Sequence, residues 1–67
     1  MIDVTLNGEH RALDDGTTVD VVVVGLDRGR AGVAVAINGD VVPRSQWAAT
    51  TLRAEDRVEV LAAAQGG

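Results

Sequence analysis

Three separate runs along this chain repeat with a period of two, two of them setting apolar against polar positions and one setting bulky against small apolar positions. Ile2, Val4 and Leu6 are interleaved with Asp3, Thr5 and Asn7, and near the other end Val58, Val60 and Ala62 are interleaved with Arg57, Glu59, Leu61 and Ala63. A period of two puts successive side chains on opposite faces, so each run predicts a strand with one buried face. The third run places Val33, Val35 and Ile37 on one face and the small Ala34 and Ala36 on the other. Asn7-Gly8 and Asn38-Gly39 directly follow two of these runs. Asn-Gly favours a two-residue hairpin because both positions tolerate positive φ. The first turn therefore predicts an antiparallel return over residues 9–13, and the second a short extended piece at Val41-Val42. Pro43 ends that piece, having no N–H to offer a ladder.

Between the first hairpin and the Val33 run the period changes. Asp14-Asp15-Gly16-Thr17-Thr18 reads as a turn ending in a helix-capping residue, with Asp20 in the first turn beside the positive end of the helix dipole. The β-branched run Val21-Val22-Val23-Val24 prefers strand on intrinsic grounds. Val19, Val22, Val23 and Leu26 nevertheless fall at i, i+3, i+4 and i+7, which makes one apolar stripe and predicts a short helix starting near Thr18. Gly25, Gly29 and Gly32, with Asp27, Arg28 and Arg30 among them, then form a connecting loop. Their spacing lacks the Lys-Ser/Thr of a phosphate-cradling loop, so helix termination explains them better. Arg44-Ser45-Gln46-Trp47 predicts a turn or short helix, with Trp47 plugging one end of a small core. A turn at Ala54-Glu55-Asp56 precedes the last strand, on which Leu61 faces outward if Val58 and Val60 face inward. Strand, hairpin, strand, helix and further strands make an α+β order: one helix packed on one face of a mixed four- to five-stranded sheet, the β-grasp or ubiquitin-like arrangement.

Composition narrows the function classes. At 67 residues the chain reads as a single domain over 1–67, with no room for a large active-site cavity. Hydrophobic residues make up 46%, nearly all Val, Ala, Leu and Ile; Phe and Tyr are absent, and Trp47 is the only aromatic residue. Six basic against ten acidic residues give a net charge of −4, which repels nucleic-acid backbones and anionic membranes. Without cysteine there is no disulfide, thiolate nucleophile or zinc-thiolate site, as suits a reducing compartment. Met1-Ile2-Asp3-Val4 does not read as a signal peptide, and no run approaches the ~18 apolar residues of a membrane span, so a cytoplasmic protein is expected. No paired acid and base, nucleophile with base, or metal-ligand spacing is visible, and His10 reads as a surface residue near a sheet edge. An enzyme is the least supported class, and the chain is expected to hold no metal or cofactor of its own.

Gly66 and Gly67 close the sequence. A side-chain-free end can thread a narrow slot and present its carboxylate to a partner's chemistry. The hairpin through Asn7-Gly8, the stretch Ala34-Val35-Ala36-Ile37-Asn38-Gly39, the run Val42-Pro43-Arg44-Ser45 with Trp47, the run Asp56-Arg57-Val58-Glu59-Val60 and the Gly-Gly end together resemble the ThiS family, ubiquitin-like sulfur carriers of thiamine biosynthesis. The likeness covers essentially the whole chain.

The resemblance implies a chemistry centred on Gly67. A free α-carboxylate has a pKa of about 3.5, so at neutral pH it is anionic and resists nucleophiles until activated. In proteins similar to ThiS, a ThiF-like enzyme uses ATP and magnesium to adenylate the terminal glycine. Sulfur from a cysteine persulfide then replaces the activated oxygen. The resulting thiocarboxylate donates sulfur to a ThiG-like thiazole synthase, so the carrier is a cosubstrate rather than a catalyst. On this reading Gly67 is the adenylation and thiocarboxylate site, Gly66 and Gln65 thread the partner's channel, and residues 63–67 form the tail. Docking needs a second surface, because so short a tail supplies little affinity. If the strands lie as in the family, Ala34, Ala36, Leu61 and Ala63 make a low apolar patch flanked by Arg57 and Glu59. Asp14, Asp15, Asp40, Glu55 and Asp56 either steer the carrier toward basic partners or simply solvate turns. Two alternatives stand beside this: a carrier like the small subunit of molybdopterin synthase, and a ubiquitin-like interaction module whose glycines are incidental.

Overall fold

A computed structural model describes residues 1–25 and 32–62. The predicted strands are present: β1 Ile2–Leu6, β2 Glu9–Leu13, β3 Val33–Ile37, β4 Asp40–Val42 and β5 Arg57–Ala62, with the helix α1 Val19–Val24 between β2 and β3. They form a five-stranded sheet in the order β2-β1-β5-β3-β4. The outer pairs β1–β2 and β3–β4 are the two hairpins, β5 runs parallel to β1 and antiparallel to β3, and the sheet is therefore mixed. Both hairpins close as the dipeptides require, with φ of 51° and 84° at Asn7 and Gly8 and of 53° and 89° at Asn38 and Gly39.

The period-two alternation becomes a two-faced sheet. Val4, Leu6, Val35, Val58 and Val60 are buried on one face beneath Val19 and Val23 of α1, together with Trp47 and Leu52. Val22 and the half-buried Ile2, Leu13, Val33, Ile37 and Val42 complete the packing. The helix of Val19–Val24 is too short to persist on propensity alone, and its valines prefer strand. Burial of Val19 and Val23 settles the conflict in favour of helix, while Val21 and Val24 remain exposed. Leu26, the last residue of the predicted stripe, and the loop with Asp27, Arg28, Gly29 and Arg30 lie outside the described residues.

Thr18 occupies the N-cap position, but its side chain makes no capping hydrogen bond. Backbone ties start the helix instead. Val19 N–H donates to Thr50 O at 3.0 Å, Leu52 N–H donates to Thr17 O at 2.9 Å, and Thr18 forms an isolated bridge with Thr51. Both the approach to α1 and the 50–52 segment are thereby fixed to each other. The Arg44–Ala49 segment forms a 3-10 helix, entered through Pro43, that delivers Trp47 to the core. Its ring is only 2% exposed, and Nε1–H donates to Val42 O at 3.0 Å, so the one large side chain is buried with its polar atom satisfied. Before β1 the Met1 α-amine sits 2.6 Å from Asp15 Oδ1. The hydrogen bond and charge of Asp15 raise the pKa of that amine above its ordinary value.

Replacing Trp47 with Phe removes the Val42 hydrogen bond and leaves a void, and should destabilise the fold by about 1–3 kcal/mol. Urea denaturation followed by far-UV circular dichroism measures this; an unchanged midpoint would show that Trp47 is not the plug of the core.

Candidate functional site

The chemistry expected at Gly67, and the threading roles of Gly66 and Gln65, fall outside the described residues, as does Ala63. What the structure describes is the strand that leads to them. β5 occupies the middle of the sheet, and its flanks are gripped by the two Asn-Gly turns. At the entry to β5, Asn38 N–H donates to Arg57 O at 2.8 Å and Asn38 Oδ1 accepts from Arg57 N–H at 2.9 Å. The Asn38 Nδ2 group donates to Asp56 Oδ1 at 3.0 Å, while Asp56 Oδ2 accepts from Arg53 N–H at 2.8 Å. Asp56, which the sequence left between steering and simple solvation, uses its carboxylate to close the turn into β5. On the opposite flank Asn7 N–H donates to Val58 O at 2.9 Å. Its side chain goes one step further: Nδ2 donates to Val60 O at 3.1 Å and Oδ1 accepts from Val60 N–H at 2.8 Å.

The face of the sheet opposite α1, helix-free among the described residues, gathers the candidate docking residues. Ala34 pairs with Leu61 and Ala36 with Glu59 across β3 and β5, and Arg57 lies beside Thr5 of β1. Ala34, Arg57, Glu59 and Leu61 are exposed and Ala36 is half-buried. Leu61 stands out at 65% exposure, as the alternation required. One residue was missed by the sequence reading. Val41 of β4 pairs with Ala36, is 73% exposed, and extends the same apolar strip by one strand. The register of the Asn38-Gly39 turn was the signal that could have found it, since a two-residue loop pairs Ile37 with Asp40 and hence Ala36 with Val41.

The β1–β2 side of this face is polar. Thr5 pairs with His10 and Asp3 with Ala12, and His10 Nε2 lies 3.6 Å from Asp3 Oδ1, with both side chains largely exposed. The hairpin thus gives His10 a carboxylate neighbour that sequence proximity did not suggest. The buried face holds an open cleft of about 370 Å³ between α1 and the first hairpin, lined by Val4, Arg11, Leu13, Val21, Val22 and Leu52 among others. Among the described residues no group of three or more His, Cys, Asp or Glu is placed to hold a metal ion, and no helix is long and apolar enough to cross a membrane.

Comparison with known proteins gives a consistent result. The ThiS family model matches residues 4–67, a span that includes Gly66 and Gly67. The sulfur carrier protein ThiS of Escherichia coli is 32% identical over 66 residues, covering 98% of this chain and 100% of that protein. A thiazole synthase of Magnetococcus marinus is 37% identical over 62 residues, which are 92% of this chain but only 19% of that longer protein. The crystal structure of the thiamine biosynthesis protein ThiS from Geobacter metallireducens superposes with a TM-score of 0.81 at 32% identity, covering 98% of this chain and all of that one. With its mixed sheet, the helix α1 packed on it and a match over 98% of its length, the chain has the β-grasp fold and belongs to the ThiS family of sulfur carriers of thiamine biosynthesis.

Proposed function

We propose that this carrier works through the carboxylate of Gly67, in the cytoplasm, as a cosubstrate of two enzymes. A ThiF-like partner, with ATP and magnesium in its own site, joins AMP to that carboxylate and releases pyrophosphate. The terminal sulfur of a cysteine persulfide displaces AMP to form an acyl disulfide. A second thiol then attacks the cysteine sulfur of that bond, forming a disulfide with it and releasing the C-terminal thiocarboxylate. A ThiG-like thiazole synthase then takes the sulfur. The observation that carries this reading is the extent of the family match, which runs through Gly67 rather than ending with the sheet. The similarity to a segment of a thiazole synthase supports the second partner, because it places a carrier-like sequence within the same chain as that activity.

The helix-free face serves as the docking surface. Leu61, Ala34, Ala36 and Val41 offer apolar area, and Arg57 and Glu59 add charges that fix the register of a partner. Burying this strip supplies affinity that the glycines lack. Leu61 of this face stands six residues before Gly67 in sequence, on the strand that leads toward it.

Incubation with the ThiF-like enzyme, ATP, magnesium and sulfide should raise the intact mass of the chain by one oxygen-to-sulfur exchange, and a variant carrying one residue beyond Gly67 should stay unmodified. An unmodified wild-type chain, or a modified extended one, overturns the reading. For the docking face, Leu61→Asp should shift folding stability by no more than about 0.5 kcal/mol, because the side chain is exposed. It should nevertheless raise the KM of the chain as a loading substrate by about tenfold or more. An unchanged KM would remove Leu61 from the interface.

A further inference from the structure

We infer that Asn7 is a positioning residue for sulfur loading, acting through its side-chain clamp on Val60; the inference rests on Gly67 being the loaded group. The backbone bonds between β1 and β5 climb β5 two residues at a time, from Thr5 N–H to Asp56 O at 3.0 Å and from Asn7 N–H to Val58 O at 2.9 Å. The next rung belongs to Val60, but the chain has reversed at Asn7-Gly8 and β1 has no further peptide to offer. The Asn7 carboxamide fills that rung. Its NH2 group and its carbonyl oxygen lie side by side on one edge of the amide, and together they engage both Val60 O and Val60 N–H.

The turn itself does not demand this side chain. Asp or Gly also serves at the first position of such a hairpin, since the requirement there is only positive φ. What asparagine adds is one more step of support on the β1 flank of β5, at Val60, the last buried residue before Leu61 and Ala62. On the other flank β3 accompanies the strand as far as the Val33–Ala62 pair. The clamp therefore lets β1 keep pace with β3 close to where β5 ends. Its counterpart Asn38 grips the entry of β5 at Arg57. Two identical dipeptides thus hold one strand at Arg57 and at Val60, and the Asn7 grip is the one nearer the end that leads toward Gly67. Attack on an activated carboxyl depends steeply on near-attack geometry, so a β5 exit that wanders slows the chemical step more than it weakens docking.

The test compares Asn7→Gly with Asn38→Gly, each of which keeps the φ required by its turn and removes one clamp. In Asn7→Gly, exchange of the Val60 amide should accelerate by about tenfold or more. The kcat for loading by the ThiF-like enzyme should fall by about tenfold, with KM changed by less than about twofold. Asn38→Gly should lose a similar amount of stability in urea yet keep kcat within about twofold of wild type. Asn7→Asp retains the acceptor but not the donor; it should give an intermediate kcat, and it carries the test if the glycine variant does not fold. Loading of Asn7→Gly at the wild-type kcat, or equal losses of kcat in the two glycine variants, overturns the inference. Failure of the wild-type chain to load would instead overturn the role of Gly67.

Discussion

The hydrogen-bonded seat of β5 between β1 and β3 is the constraint on which the rest of this structure depends. The two outer hairpins are not neighbours in the sheet order, so without β5 there is no continuous sheet to bury Val35 beside Val58 and Val60, and no platform for α1. The seat is built from two kinds of bond. Strand pairing supplies most of it, and the carboxamides of Asn7 and Asn38 supply rungs where the neighbouring strands turn away. The strand so held is also the one that leads toward Gly67, so the stability of the sheet and the proposed function share one element.

The two faces of the sheet divide the remaining work. One is committed to the core, where Trp47 compensates for a chain otherwise packed with valine, alanine, leucine and isoleucine. Close to the minimum size for a stable core, a single buried indole with its N–H satisfied by Val42 replaces several smaller contacts. The other face carries no helix among the described residues. It grades from the polar Asp3, Thr5 and His10 to the apolar Leu61 and Val41, the contrast on which the proposed docking rests.

Much of the fold was legible in the sequence because its signals are local. Alternation at Ile2–Leu6, Val33–Ile37 and Arg57–Ala62, and the φ preference of two Asn-Gly turns, are properties of short segments. Valines at 21–24 were ambiguous for the opposite reason: local propensity says strand, and only the tertiary burial of Val19 and Val23 makes a helix of them. The helix start was placed correctly on a capping argument, yet the structure secures it by the Thr50 carbonyl, a contact between segments far apart in sequence. Val41 was overlooked because its outward direction follows from register, which a three-residue strand does not advertise. The clamps by Asn7 and Asn38 were invisible, since turn chemistry already accounts for asparagine there and nothing local pairs Asn7 with Val60. The role proposed for Gly67 rests on resemblance alone, as residues 63–67 lie outside the described structure and glycine has no side chain to declare a chemistry.

Native-state hydrogen exchange on the wild-type chain is the most direct measurement of whether β5 is the spine of the carrier. The Val58 and Val60 amides should exchange only on global unfolding, more slowly than those of the outer strands β2 and β4, with the Val60 amide protected although its acceptor is a side chain. Exchange at Val58 and Val60 as fast as in β2 or β4 would contradict the account.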